Sequence, residues 1–592
     1  MSPHRTAAIS ALFLAFIVTV GLAAPDPVRG AGPADPLLRL APADAGLTVV
    51  VEDLKGHARS LIDLPVYTGL TRLPAVQLWM ASDRGRAFRE AKAQIEAILQ
   101  TDFANVRDGL LGEAVVLALR TPPGGRPEDA RGLLLTRIID RPLLDRAVAG
   151  LDAAQTKKGE LVRVSDRRRG TAAYHVREYR PGSRPDEFYA HLGDRVFAWS
   201  NSEELLLGVL DRQAEGSVGL GGLADFRRIR SRLPSRSVVS ILVDPRFVER
   251  IAPASSGPRN PGDEPLLALL GRYLAAVRYA GAAVEWRDGV ILHTEEVVDP
   301  AKLSPGLRRW AGRTDHPDPG LLRVPPSALA FAVAHVDAGA LIDVLAELTP
   351  EAERAKLDNL LLTLDGLLLG LDLRKEVAPH LGPGLSAYIE RPDSGEPSSA
   401  LPLVVEAELA TGSAGTKTAA ALDNALRTLL AVYALDSAHG GGKLQVESRG
   451  APDARITTFR SGVPVAYSLA EGSLVLARSA GSAARALAAR RDPGAAQRIE
   501  RLRAAFFPGV ESFACADLEA LHAFASSRRV PLCRRMAEFQ KCDEAEVSRD
   551  LDQALALIAL FDAAFVTSVI EPGFSGVHRT FGFVTLLTPA HP

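Results

Sequence analysis

The chain is poor in the residues that usually announce chemistry. It has three cysteines, three methionines and four tryptophans in 592 residues. Two cysteines, Cys533 and Cys542, stand close together, but no third or fourth ligand at metal spacing accompanies them, so zinc is not expected. No metal or organic cofactor is predicted. Charge of one sign is also lacking. The net charge of −2 gives no electrostatic footprint for nucleic acid. The basic run Asp166-Arg167-Arg168-Arg169-Gly170 has no aromatic or glycine framework around it. It reads as a solvated hairpin turn.

Reaction motifs are missing as well. No Gly-x-Ser-x-Gly elbow occurs, and Gly573-Phe574-Ser575-Gly576 has the wrong spacing. His439-Gly440-Gly441-Gly442 resembles an oxyanion loop but has no elbow to serve, so a plain loop is expected. Gly442-Lys443 lacks the rest of a phosphate loop, and Gly219, Gly221 and Gly222 do not complete a dinucleotide fingerprint. The 12 histidines contain no His-Glu-x-x-His pair. His335 and Asp337 lie two apart on one strand and so share a face. Val51 stands where His335 would be in a related stretch, so the pair reads as a local hydrogen bond. His316, between Asp315 and Asp318, is flanked by Pro317 and Pro319 and reads as linker.

Long apolar runs are scarce too. One lies at the start: Ala7 to Ala24 is uncharged and follows His4 and Arg5, with Gly21-Leu22-Ala23 resembling a small-residue cleavage site. Residues 1–23 are read as a signal peptide and 24–36 as a spacer. The alternative is an uncleaved anchor, because about 18 residues is the short limit for a span. A membrane partner is expected only if that segment is retained. Leu360 to Leu373 is shorter, is interrupted by Asp365 and Asp372, and reads as a buried core segment. In an exported chain Cys533 and Cys542 are candidates for a small disulfide loop. Cys515, in an apolar strand, reads as a buried thiol.

What is present is an internal echo. LLRLAPADAGLTVVVEDLKGHARS from Leu37 returns as LLRVPPSALAFAVAHVDAGALIDV from Leu321. Shorter echoes run from Arg232 to Glu249 and from Phe506 to Glu519. Four strands therefore end in Asp53, Asp244, Asp337 and Asp517, each before a helical pattern. A carboxylate there accepts hydrogen bonds from the free N–H groups of the helix start, so all four are read as N-caps. Further pairs follow in order. Asp102, Leu111 and Gly112 match Asp372, Leu381 and Gly382, and Gly193-Asp194 and Glu471-Gly472 make corresponding hairpin turns.

The chain thus reads as two copies of one unit, 37–312 and 320–592, joined by the linker 313–319. Strands linked by tight turns imply antiparallel pairing, and helices must cover the sheet. The expected fold class is α+β: two tandem related domains, each a mostly antiparallel sheet covered by helices. The strand start with its Pro and terminal Asp, the block from Asp372 to Ile389, and the hairpin from Ala466 to Ala477 together resemble a family of exported bacterial proteins. Their shared domain has no assigned function. The resemblance implies the fold and export, and supplies no catalytic residue. The expected function is a non-catalytic binding or structural module of the cell envelope, periplasmic or extracellular, with an envelope ligand or protein as partner. The alternative is an envelope enzyme of hydrolase type whose site is assembled from distant residues.

Overall fold

The computed structural model describes residues 32–63, 65–121, 129–247, 271–286, 289–311, 324–325, 327–335, 337–349, 351–391, 402–410, 412–436, 445–450, 455–460, 465–470, 472–492 and 512–585. Helices and a large antiparallel sheet make up an α+β architecture. The described residues within 25–258, 277–298 and 582–592 form a first compact unit. Those within 259–276 and 299–581 form a second.

The first unit holds β1 (Leu47–Glu52), β2 (Ala114–Arg120), β3 (Arg131–Arg137), β4 (Leu161–Arg169), β5 (Ala172–Tyr179), β6 (Glu187–Leu192), β7 (Val196–Ser200), β8 (Val239–Val243), β9 (Val277–Trp286) and β10 (Gly289–Val298). Their pairing order is β10-β9-β8-β1-β2-β3-β7-β6-β5-β4, antiparallel throughout. Alternation sets the faces. In β1, Thr48, Val50 and Glu52 point into the interior. A core of Val50, Val116, Ala118, Leu133, Leu135, Val176 and Ala198 meets Leu205, Leu206, Val209 and Leu210 of the helix Glu203–Glu215. On the opposite face the helix Arg141–Lys157 contributes Leu144 and Val148 against Tyr189 and Phe197.

The second unit holds β11 (Ala328–His335), β12 (Leu381–Glu390), β13 (Leu403–Leu409), β14 (Gln445–Arg449), β15 (Ile456–Arg460), β16 (Val465–Ala470), β17 (Ser473–Ala477), β18 (Phe513–Asp517), β19 (Ala563–Ile570) and residues 576–581 of β20 (Gly576–Val584). Their order is β20-β19-β18-β11-β12-β13-β17-β16-β15-β14. Each strand holds the place of the strand ten earlier. The tight turns β6–β7 and β16–β17 carry glycine in the left-handed region, Gly193 at φ 62° and Gly472 at φ 69°, where a Cβ would clash with its own backbone.

Several sequence expectations need correction. Leu360 to Leu373 is buried only at its end, where Leu368 is 3% exposed and Leu367, Leu371 and Leu373 pack beside it against Val377 and Ala421. Much of it lies on the helix Arg354–Leu367, with Leu360 and Leu362 55% and 72% exposed. A helix presents residues to all sides, and a leucine-rich run cannot hide them all against one neighbour. The basic run is strand rather than turn. Asp166 to Arg169 end β4, and only Gly170 and Thr171 make the turn. The helical pattern after Asp53 divides into Leu54–Asp63 and Pro65–Arg72, with proline beginning the second helix. Cys533 and Cys542 are not joined, and all three cysteines are free thiols. Cys533 is buried on the helix Arg529–Gln540 against Ala537 and Val547, while Cys542 follows the left-handed Lys541 and lies close to Gln540. The signal segment, the linker with His316, and His439 to Gly442 lie outside the described residues.

Candidate functional site

The four capping aspartates sit at strand-to-helix junctions. Asp337 accepts from Ala340 N at 2.9 Å, and Asp517 accepts from Ala520 N at 2.9 Å. Asp53 accepts from Gly56 N at 3.1 Å, and Asp244 from Arg246 N at 3.0 Å. By strand register Asp337 lies one residue farther along than Asp53. Asp53 reaches its cap only at φ 47°, whereas Asp337 does so at φ −83°. All four carboxylates are thus occupied at helix starts, and none shares a cluster with another. No group of three or more His, Cys, Asp or Glu suited to a metal occurs among the described residues.

A cavity does occur in the first unit. It measures about 480 Å³ and is lined by Pro42, Asp44, Arg120, Arg169, Glu204, Leu205, Leu207, Gly208, Asp211 and Arg212 among others. Four elements build it: the loop after the helix Asp35–Leu40, the end of β2, the end of β4, and one side of the helix Glu203–Glu215. Arg120 donates to Asp44 at 3.2 Å and to Glu204 at 2.7 Å. Glu204 also accepts from Arg131 at 3.2 Å. Arg169 holds Asp211 through two bonds of 2.9 and 3.1 Å. The hydrogen bond to Glu204 raises the Arg120 pKa, and Arg120 in turn lowers that of Glu204.

Arg212 is the exception on this wall. Its Nε donates to Leu40 O at 2.8 Å, but its buried Nη2 makes no hydrogen bond. Burial pushes its pKa down, while Asp44 and Asp211 pull it up from a distance. The guanidinium lies over Gly208, where an added Cβ would stand 3.3 Å from Nη1. A half-buried cation with one sealed N–H group unpaired is costly, and it invites an explanation.

The second unit supplies a contrast at the same places. Strand register from β7 through β3 to β2, and from β17 through β13 to β12, sets Arg120 level with Glu390. Counting from Ser202 and Ser479 at the two helix starts sets Gly208 level with Arg485 and Arg212 level with Ala489. Glu390 is fully buried and bonded to Arg485, with contacts of 2.8 and 3.2 Å. Beside it Glu406 accepts from Tyr388 at 3.1 Å and from Arg490 at 3.3 Å. Burial raises the Glu406 pKa, against the pull of Arg490. The second unit therefore places its own carboxylate in front of its arginine, and the first unit does not.

A second cluster lies on the other face of the first unit. His175, Tyr189 and Trp199 are directly opposite one another on β5, β6 and β7. Their rings stack, with centroids 4.6 and 5.6 Å apart. The fully buried Arg177 lies 4.8 Å from the Trp199 ring and is bonded to Asp152 at 2.8 Å, as well as to Glu187 and Gln155. His175 Nδ1 and Asp166 are 2.7 Å apart. His191 is pushed down to about 4 by burial, aided by Arg141. Register sets Thr457, Tyr467, Leu469 and Leu476 level with His175, Tyr189, His191 and Trp199. This stack is packed rather than hollow. It secures strands, and its aromatic contacts are of the cross-strand kind.

Sequence reading missed the cavity. Glu204, Asp211 and Arg212 share one helix, but no sequence spacing joins them to Asp44, Arg120 and Arg169. One signal was present: the block ending in Arg120 aligns with the block ending in Glu390, a reversal of charge at one position. No family model matches the chain, and no curated protein or solved structure matches it either. The function must therefore be argued from the residues themselves.

Proposed function

We propose that this chain is an exported binding module of the cell envelope, made of two related domains descended from one duplicated unit. The first domain binds a small ligand in the cavity beside the helix Glu203–Glu215, and the second serves as a structural companion. One observation carries this reading. Two sheets with the same ten-strand order differ at the position of Arg120 and Glu390, where the first has a cavity and the second a buried Glu390–Arg485 pair. The same architecture with its pocket filled is what a duplicated binding domain becomes when one copy gives up its ligand. The apolar segment from Ala7 to Ala24 supports export, and its retention would tether the module to the membrane.

The test is a thermal-shift screen of the full chain against small metabolites, run beside hydrolase substrates. Saturable binding without turnover is expected, with binding lost in Gly208→Arg. Robust turnover abolished by one substitution sinks the reading. Sequencing of the native N-terminus is expected to start near Ala24.

A further inference from the structure

We propose that the helices Pro74–Ala81 and Asp83–Leu99 of the first unit form a membrane-surface contact, which lays an apolar face into the headgroup layer of an anionic phospholipid bilayer. This goes beyond the reading of the chain as a small-molecule binding module and makes no use of its cavity.

The starting point is a helix whose apolar stripe looks outward. Over Asp83–Leu99, Phe88, Ala91, Ile95 and Ile98 recur at steps of three and four, the spacing of one helix face. Such a stripe is ordinarily turned onto a core. Here only Gly85 and Leu99 are buried, and Phe88 is 52% exposed. The helix before it behaves alike. Pro74–Ala81 is dominated by Val76, Leu78, Trp79 and Met80, yet none of its residues is buried. Leu78 is 66% exposed and Trp79 46%. The Trp79 and Phe88 rings stand 6.1 Å apart, so the two helices share this face. Gly85 lets them approach, because a Cβ there would strike the carbonyls of Trp79 and Met80. Arg89 fastens them by donating to Met80 O at 2.5 Å.

The charges say what covers the face. Arg84, Phe88, Lys92 and Ile95 follow at steps of four, four and three, so two cations stand on the apolar side. Arg84 has no acid partner among the described residues, and Lys92 meets Glu96 only at 3.6 Å on the exposed surface. Asp83 and Glu90 are seven apart and fall on the opposite side. Asp83 is taken by Arg86, and Glu96 also accepts from Phe103 N. Apolar and aromatic groups flanked by cations, with the acids turned away, suit a surface of negative headgroups over acyl chains. Tryptophan sits well at that boundary, and the long stems of Arg84 and Lys92 let their heads stay in the polar layer. Among the described residues no helix is long and apolar enough to cross a membrane, so the contact lies on the bilayer and does not span it. It needs no N-terminal anchor, and it gives the chain a membrane contact after a signal segment is removed.

The experiment is vesicle flotation with bromolipid quenching of tryptophan emission, using the full chain with its N-terminus left as the cell processes it. Vesicles of phosphatidylcholine alone are compared with vesicles holding about one-third phosphatidylglycerol. The proteins are wild type, Trp79→Phe, the double variant Trp79→Ser with Phe88→Ser, and the double variant Arg84→Glu with Lys92→Glu. Wild type is expected to bind the anionic vesicles more tightly, with binding weakened by salt. Each double variant is expected to bind them at least ~10-fold more weakly. Trp79→Phe is expected to bind like wild type and to lose most of the quenching. Circular dichroism establishes folding, and if the serine variant is not folded the charge variant decides. Absent vesicle binding, binding unchanged in a folded double variant, or binding without quenching of Trp79 overturns the proposal. Self-association that the charge variant abolishes, without vesicle binding, also overturns it. That result would give the face to a second copy, whose exposed Leu360 and Leu362 lie near Asp358 and Asp365 in sequence. None of these outcomes bears on the cavity, so the binding-module reading stands or falls on its own ligand screen.

Discussion

At the centre of similar sheets the two units place buried polar residues on opposite faces. In the first, the face under the helix Glu203–Glu215 is apolar at its centre, with Ala118, Leu135, Leu206 and Val209 all buried. In the second, the corresponding positions are Tyr388, Glu406, Ala483 and Ala486. Leucine and valine on the first helix face alanine on the first strand. The second unit reverses this, with alanines on the helix and tyrosine on the strand. Close packing demands such an exchange, since volume removed from one layer must return in the other. On the other face the roles reverse. The first unit has His175, Arg177, His191 and Trp199 there, and the second packs Tyr467 against Leu426, Leu430, Leu469 and Leu476. One backbone order thus tolerates buried charge on either face, provided each charge finds a partner.

Arg212 breaks that proviso, and the sharpest test sets it against Arg485. Arg485→Ala leaves Glu390 buried without its cation and is expected to lower stability by about 3–5 kcal/mol. Arg212→Ala removes a cation that has no acceptor at Nη2, and is expected to change stability by less than ~1 kcal/mol. Urea melts of both variants measure the difference. Equal losses would show that Arg212 is fully compensated within the protein.

The next largest effect depends on pH. His191 has a folded pKa of about 4, pushed down chiefly by burial from its ordinary value of 6.5. The neutral ring fits the folded state, so its contribution is complete above pH 6.5. As pH falls from 6.5 towards 4 the unfolded chain takes up a proton that the folded chain refuses. Stability is then lost, by up to about 3 kcal/mol. His191→Leu installs the residue at the level of Leu469 and is expected to flatten this slope. A denaturation series at pH 7, 6, 5 and 4 with an unchanged slope in the variant would refute the assignment.

The smallest effects fall on single hydrogen bonds of the frame. Asp337→Ala and Asp517→Ala each remove one helix cap and are expected to cost about 1 kcal/mol. Tyr467→Phe deletes a 2.6 Å hydrogen bond to Asp423 and is expected to cost about the same. Thermal melts should rank these below Arg485→Ala, and the opposite ranking would show that the shared frame matters more than the buried charge.

The sequence was most informative where structure is local. A helix cap joins residues three apart, and a tight turn joins residues within four. Asp337 with Ala340 and Gly193 between β6 and β7 were accordingly readable from neighbours alone. Leu360 and Leu362, expected within a buried segment, misled for the opposite reason. Hydrophobicity reports a tendency to be covered, and the covering surface has to come from elsewhere in the chain. The basic run before Gly170 misled similarly, because the acids that hold Arg167 and Arg169 are Glu203 and Asp211 on a distant helix.

By itself the sequence determined the repeating order of strands, turns and caps, since alternation, glycine and capping aspartates act within a few residues. Tertiary structure alone decided which arginine met a carboxylate. Glu390 and Arg485 lie 95 residues apart, and Arg120 and Glu204 lie 84 apart. Charge pairing falls off with distance in space, and only the folded chain sets that distance.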